Sequence, residues 1–234
     1  MSSVLTHRYI ALSLWTNEGY RLMKLVQHLQ IGTLNVGTMT GRDLALADSM
    51  KTRKVDVLCV QQTRWKGNKA KELGEGVYAP QVGGTGEEKE QFWAALQEKL
   101  EKVDESERYI IVGDMNGHVG SGNDAISRIH GGNAYGNRDE DGEKVNDLAF
   151  SFDMVTGNTL FRNRNEHLIT YKSGDRASQI DFLLYRRGNI REIKNWKVIP
   201  GDHVTAQHPL NVIDLIIAVS QKQKRKTTNQ RRIK

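Results

Sequence analysis

Tyr109-Ile110-Ile111-Val112-Gly113-Asp114-Met115-Asn116-Gly117-His118 is the stretch on which the reading of this chain turns. Tyr109 to Val112 is an apolar run of the kind a buried strand shows. It stops at Gly113, and Asp114 and Asn116 follow two apart, so in an extended chain they point to the same side. Polar groups at the C-terminal end of a buried strand emerge at a sheet edge, where a substrate reaches them. A carboxylate beside a carboxamide supplies hard oxygen ligands or phosphate-orienting groups, as a magnesium site does. The same pair also closes a strand with an ordinary Asp/Asn turn, and the stretch alone does not choose between these.

Upstream, Gln30 to Val36 alternates apolar and polar residues and predicts a strand ending at Asn35. A helix over Arg42–Thr52 should follow, with Leu44, Ala47 and Met50 on one face and Thr40 and Asp43 as a capping pair. Val55 to Gln61 predicts a second buried strand, closed by Gln62. Residues 66–76 read as a loop before the short apolar piece at Val77-Tyr78-Ala79-Pro80. Phe92, Leu96, Leu100 and Val103 recur at helical spacing over Glu87–Val103 and predict a helix packing one stripe on a sheet.

Downstream, a polar, glycine-rich loop runs from Gly117 to Gly142. A helix over Glu143–Phe152 should turn Val145, Leu148, Ala149 and Phe152 inward. Strands are predicted at Met154–Thr156, Leu168–Tyr171, Gln179–Tyr185, Trp196–Ile199 and Leu210–Val219. Leu22-Met23 and Leu25-Val26 suggest a short amphipathic helix. Residues 1–30 then form an appended segment, 31–219 a single layered α/β domain and 220–234 a tail.

Hydrophobic residues make up 38% of the 234, enough for a core. The single cysteine, Cys59, rules out an internal disulfide framework and points to a reducing compartment. No run of about 18 apolar residues occurs, so no membrane span is expected, and no secretory signal is read at the N-terminus. The net charge of +6 is unevenly spread. The tail holds Lys222, Lys224, Arg225, Lys226, Arg231, Arg232 and Lys234 and no acid, so the rest of the chain nets −1. Such a tail binds nucleic acid, acts as a nuclear localisation signal, or is a solvated end.

Asn35, Gln62, Tyr78, Asp114, Asn116, Asp181 and His208 all stand at strand ends or just before a strand. Asp181, inside Gln179-Ile180-Asp181-Phe182-Leu183-Leu184, is costly to bury unless paired. A His–Asp pair would solve this and orient the imidazole. Together the set describes a phosphodiester-cleaving site: a metal held by carboxylates, a phosphate-stabilising histidine, an aspartate to orient it and amide donors.

The stretches IGTLNVGTM, VDVLCVQQTRW, VYAPQVG, IIVGDMNGHVG, NRDEDGEKVNDLAFSFDMV, NTLF, LITYKSGDRASQIDFLLYRR and KVIPGDHVTAQHPLNV, in that order, cover most of residues 31–215. They resemble the endonuclease/exonuclease/phosphatase superfamily, in the branch of RTE-type non-LTR retrotransposon endonucleases and craniofacial development protein 2. The resemblance implies an α/β (α+β) fold, a two-layered β-sandwich flanked by helices. It also implies Mg²⁺- (or Mn²⁺-) dependent cleavage of DNA, a nuclear setting and no small-molecule cofactor. Asn35 matches the asparagine near the metal, Tyr78 a phosphate-positioning tyrosine and Asp114 the aspartate that aligns the attacking water. Asn116 matches a phosphate contact, and Asp181 the aspartate that orients the catalytic histidine, His208.

Two departures stand out. Gln62 occupies the place of the family's metal-binding glutamate, keeping the shape and losing the charge. Only 16 positions separate Gln62 from Tyr78, where the family carries a long segment. A deletion near 74–78 would leave the first sheet incomplete and its edges open. A milder departure is Gln207, where many members have aspartate. These departures imply an impaired endonuclease, or alternatively a non-catalytic relic that binds nucleic acid or protein through its tail.

Overall fold

The strands pair because their alternate side chains have two apolar layers to fill. A computed structural model describes residues 3–6, 10–11, 24–62, 85–104, 107–122, 126–201 and 204–220. In chain order these form β1 (Ser3–Thr6), β2 (Ile10–Ala11), β3 (Lys24–Asn35), α1 (Asp43–Arg53), β4 (Val57–Gln61) and α2 (Gly86–Glu101). Next come β5 (Ile110–Asp114), α3 (Glu140–Ser151), β6 (Met154–Thr156), β7 (Tyr171–Ser173) and β8 (Arg176–Ser178). The last strands are β9 (Asp181–Arg186), β10 (Ile193–Val198) and β11 (Asn211–Ser220). One sheet has the order β1-β4-β3-β11-β10 and the other β2-β5-β9-β6, with β7-β8 a separate hairpin.

The period of two along β5 sets the layering. Ile110 and Val112 face the other sheet, packing in one core with Leu183 and Tyr185 of β9 and Ile31, Cys59, Trp196 and Ile213 of the first sheet. Ile111 faces outward, with Phe182 and Leu184, to meet Phe92, Leu96 and Leu100 of α2 and Val145 and Leu148 of α3. On the outer face of the first sheet, Leu46 and Met50 of α1 cover Leu34, Leu58, Val60 and Val212. The expected sandwich flanked by helices is the observed one.

Several local expectations are corrected. The helix suggested across Leu22–Val26 gives way, from Lys24 on, to strand. β3 pairs with β11 without interruption from Thr33↔Asn211 to Lys24↔Ser220, so the boundary placed at residue 30 falls inside it. Residues ahead of that boundary supply an edge strand to each sheet. β1 runs parallel to β4 and β2 antiparallel to β5. The first sheet therefore has five strands among the described residues, and β4 and β5 gain backbone partners that an open edge would leave unmet. The suspected deletion near 74–78 lies outside the described residues.

α1 buries Leu46 and Met50, whereas Leu44 is 80% exposed. Its N-cap is Arg42 with no side-chain cap, so the Thr40–Asp43 pair does not form. Arg42 instead donates a hydrogen bond to the Val36 carbonyl at 2.5 Å, which sets the entry into the helix. α2 opens on a capping box, Thr85 with Glu88. α3 starts at Glu140, inside the expected loop, because Asp139 caps it. The strand expected at Leu168–Tyr171 shifts to Tyr171–Ser173, since 168–170 follow a 3₁₀ turn. β8 was not anticipated. The two-residue Gly174-Asp175 loop between Ser173 and Arg176 is the signal that marks its hairpin.

Candidate active site

The two sheets bring their polar strand ends together at one end of the sandwich. Asn35 ends β3, Gln62 follows β4, Asp114 ends β5 and Asp181 begins β9. Asp114 and Asp181 are direct cross-strand partners in the β5–β9 ladder. His208 lies on the segment entering β11. Asn35, Gln62, Asp114 and His208 meet in a cleft of about 1080 Å³, also lined by Asn116, His118, Tyr135, Tyr171 and Arg176, with Asp181 buried behind His208.

Asp181 is fully buried and His208 nearly so, with His208 Nδ1 3.1 Å from Asp181 Oδ2. His208 Nε2 reaches to 4.0 Å from Asp114 Oδ2. Asp114 accepts hydrogen bonds from Asn35 Nδ2 at 3.2 Å and from the Asn116 backbone N–H at 3.0 Å. Asn116 itself is left-handed, φ 52°, a conformation asparagine tolerates. Gln62 is also left-handed, φ 57°, which is uncommon for its type and turns the chain out of β4.

Burial, first, and then the Asp181 charge push the Asp114 carboxyl up to about 7, against the opposing pull of His208 and the Asn116 and Asn35 hydrogen bonds. Two carboxylates facing each other across a ladder cannot both ionise freely. Burial alone would depress the His208 imidazole, but Asp181 and Asp114 outweigh it and raise its pKa above the ordinary histidine value. The arrangement therefore favours a positively charged imidazole beside a carboxyl that changes charge near neutrality.

Residues that carry no chemistry hold this pair. Asn158, fully buried, donates Nδ2 to the Asp181 carbonyl at 2.9 Å and accepts the Leu183 N–H on Oδ1 at 2.7 Å. Thr170 Oγ1 accepts both the Ile180 and Asp181 N–H groups. The Tyr171 ring lies tilted against the His208 imidazole, centroids 4.9 Å apart. Thr205 Oγ1 donates to the His208 carbonyl, and the Lys172 N–H donates to the Gln207 carbonyl, tying the histidine loop to the β7–β8 hairpin. Sequence reasoning missed Asn158, Thr170 and Tyr171 as parts of the site, because their roles depend on β6, β9 and the hairpin being neighbours.

Of the expected site residues, Asn35, Gln62, Asp114, Asn116, Asp181 and His208 are brought together. Tyr78 and the tail cations Lys222, Lys224, Arg225, Lys226, Arg231 and Arg232 lie outside the described residues. The donor set does not fit a magnesium ion well. Among the described residues, no three His, Cys, Asp or Glu side chains are grouped to hold a metal. The cleft is lined by two carboxylates, Asp114 and Asp175; of these Asp114 is the one bonded to Asn35, and Asn35 Oδ1 already accepts the Gly37 N–H at 3.2 Å. Mg²⁺ sites rely on carboxylates.

No protein-family model matches the chain. Craniofacial development protein 2 from Tragulus javanicus and from Bos taurus are each 30% identical to it over 136 residues, 57% of this chain. The chain spans about a quarter of the length of these curated relatives, the match covering 23% of each. Among solved structures, the catalytic domain of Xenopus laevis APE2 aligns with a TM-score of 0.57 at 12% identity, covering 83% of this chain and 94% of that one. The endonuclease domain of TRAS1, a telomere-specific non-LTR retrotransposon, aligns with a TM-score of 0.53 at 12% identity, covering 81% and 98%. The fold is that of these two endonuclease domains.

Proposed function

We propose that this chain is a DNA phosphodiester-binding domain of retrotransposon endonuclease origin whose hydrolytic step is impaired. The observation that carries the reading is the His208–Asp181–Asp114 cluster, buried at one end of an endonuclease sandwich with Gln62 in the same cleft. The imidazolium of His208, oriented by Asp181, donates to a non-bridging phosphate oxygen, and the Asn116 carboxamide is a second donor. Asp114, poised near neutrality, accepts a proton from an attacking water, the match of pKa and pH that general-base catalysis needs. A divalent cation would supply neutralisation of the phosphate charge, and Gln62 lacks the carboxylate that would help to hold one.

Nicking of supercoiled plasmid in Mg²⁺ by the parent, Asp114→Ala and Gln62→Glu tests this. Silence in the parent with nicking by Gln62→Glu supports the reading. Nicking by the parent that Asp114→Ala abolishes overturns the impairment. Silence in both favours the second reading, a non-catalytic relic that binds nucleic acid through the tail cations Lys222 to Lys234 and is held in the nucleus by them. Such binding should weaken steeply with salt.

A further inference from the structure

We infer that His118 forms a second phosphate-binding position in the cleft, so that its ligand is a polynucleotide strand engaged at two neighbouring phosphates rather than an isolated phosphate ester. The inference rests on the phosphodiester-binding reading above. His118 lines the same cavity as His208 and is partly exposed there. Its Nδ1 lies 2.5 Å from Asp139 Oδ2, and its backbone N–H donates to Asp139 Oδ1 at 2.9 Å. Nε2 makes no hydrogen bond among the described residues. A phosphate at Nε2 and the Asp139 carboxylate at Nδ1 would face the two N–H donors of one imidazolium.

The ring is held as firmly as a binding group requires. Asp139 caps α3 through the Gly142 N–H at 2.7 Å, and its own N–H donates to the His118 carbonyl at 3.1 Å. The two backbones touch. A Cβ on Gly142 would come within 1.8 Å of the His118 carbonyl oxygen, and one on Gly117 within 2.5 Å of the Asp141 carbonyl carbon. His118 also follows Asn116 by two residues, so their Cα atoms are at most about 7 Å apart. A strand whose phosphate rests on Asn116 and His208 can therefore present its neighbouring phosphate to His118. Asp139 explains the rigidity of the loop but not an imidazole turned into the cleft with one nitrogen unused.

The test compares two ligands on the full chain in moderate salt, which weakens contacts of the basic tail. One is a short single-stranded oligodeoxynucleotide, the other a dinucleoside monophosphate with one phosphodiester. His118→Ala should weaken the oligonucleotide about tenfold, the factor for one charge-assisted hydrogen bond, and leave the dinucleoside monophosphate within about twofold. His208→Ala should weaken both. Equal losses for both ligands, or no loss, in His118→Ala overturns the inference while the phosphodiester reading stands. A parent that binds neither ligand overturns both. Should His118→Ala not fold, His118→Gln carries the same contrast, with a smaller loss because an N–H donor remains.

Discussion

Asp181 Oδ2 lies 3.1 Å from His208 Nδ1, and the two residues come from opposite layers of the sandwich: Asp181 begins β9 in one sheet, and His208 leads into β11 in the other. The pair thus clamps the sheets at their polar end. Asp181 is fully buried, and its Oδ1 has no hydrogen-bond partner among the described residues. Removing the histidine would strand a buried carboxylate. His208→Ala should lose about 3 kcal/mol in urea unfolding, and adding Asp181→Asn should restore part of it. A double variant no more stable than His208→Ala alone would show that the pair contributes little.

Gln62 supplies no charge beside Asp114, whose carboxyl is pushed up to about 7, by burial first. Gln62→Glu keeps the side-chain length and adds a second carboxylate. Mg²⁺ should then raise the thermal midpoint of the variant by several degrees and leave the parent nearly unmoved, as binding to the native state requires. The check is a melting series across Mg²⁺ concentrations, and equal shifts in both proteins would refute it.

Asn158 satisfies one carbonyl and one N–H of β9 on either side of Phe182. Asn158→Ala leaves both unmet in a dry layer, at about 1–3 kcal/mol each. The variant should be destabilised by about 3 kcal/mol in chemical denaturation. Its oligonucleotide affinity should fall as well, because Asp181 loses its backbone anchor.

His130 is buried away from the cleft, and its Nδ1 accepts the Gly132 N–H at 3.0 Å. Burial, then the Arg138 charge, lower its pKa to about 4, against a backbone hydrogen bond to Gly120. A histidine held neutral in the fold but titrating near 6.5 when unfolded stabilises fully above that value. The contribution is lost as pH falls from about 6.5 through 4, and it amounts to at most about 3 kcal/mol. His130→Gln should show a flatter dependence of unfolding midpoint on pH across that window, and parallel curves would contradict the assignment.

Gly142 meets the His118 carbonyl where any side chain would intrude. Gly142→Ala must displace α3 from the loop carrying Asn116 and His118. A loss of about 2 kcal/mol in stability is expected, within the range for overpacking, and weaker binding of both phosphate probes should accompany it. Unchanged binding in a folded Gly142→Ala would mean the loop is positioned by other contacts.

The sequence by itself determined the central strands and the polar groups at their ends. Ile110 to Val112 reads as a strand because its apolar run is local, and Asp114 emerges at its end for the same reason. Asn35, Gln62, Asp181 and His208 were legible likewise, as polar residues bounding or interrupting apolar runs. The tertiary structure decided what these groups do to one another. Only the register of β5 on β9 sets Asp114 opposite Asp181, and only the stacking of the sheets brings His208 to both. That register adds the Asp181 charge to the burial that raises the Asp114 carboxyl. The same holds for Asn158 under β9, for Asp139 on His118 and for the edge strands β1 and β2. Periodicity records which residues one element buries. Pairing between elements far apart in the chain leaves no mark in either one, because it is chosen by the free energy of the whole packed sandwich.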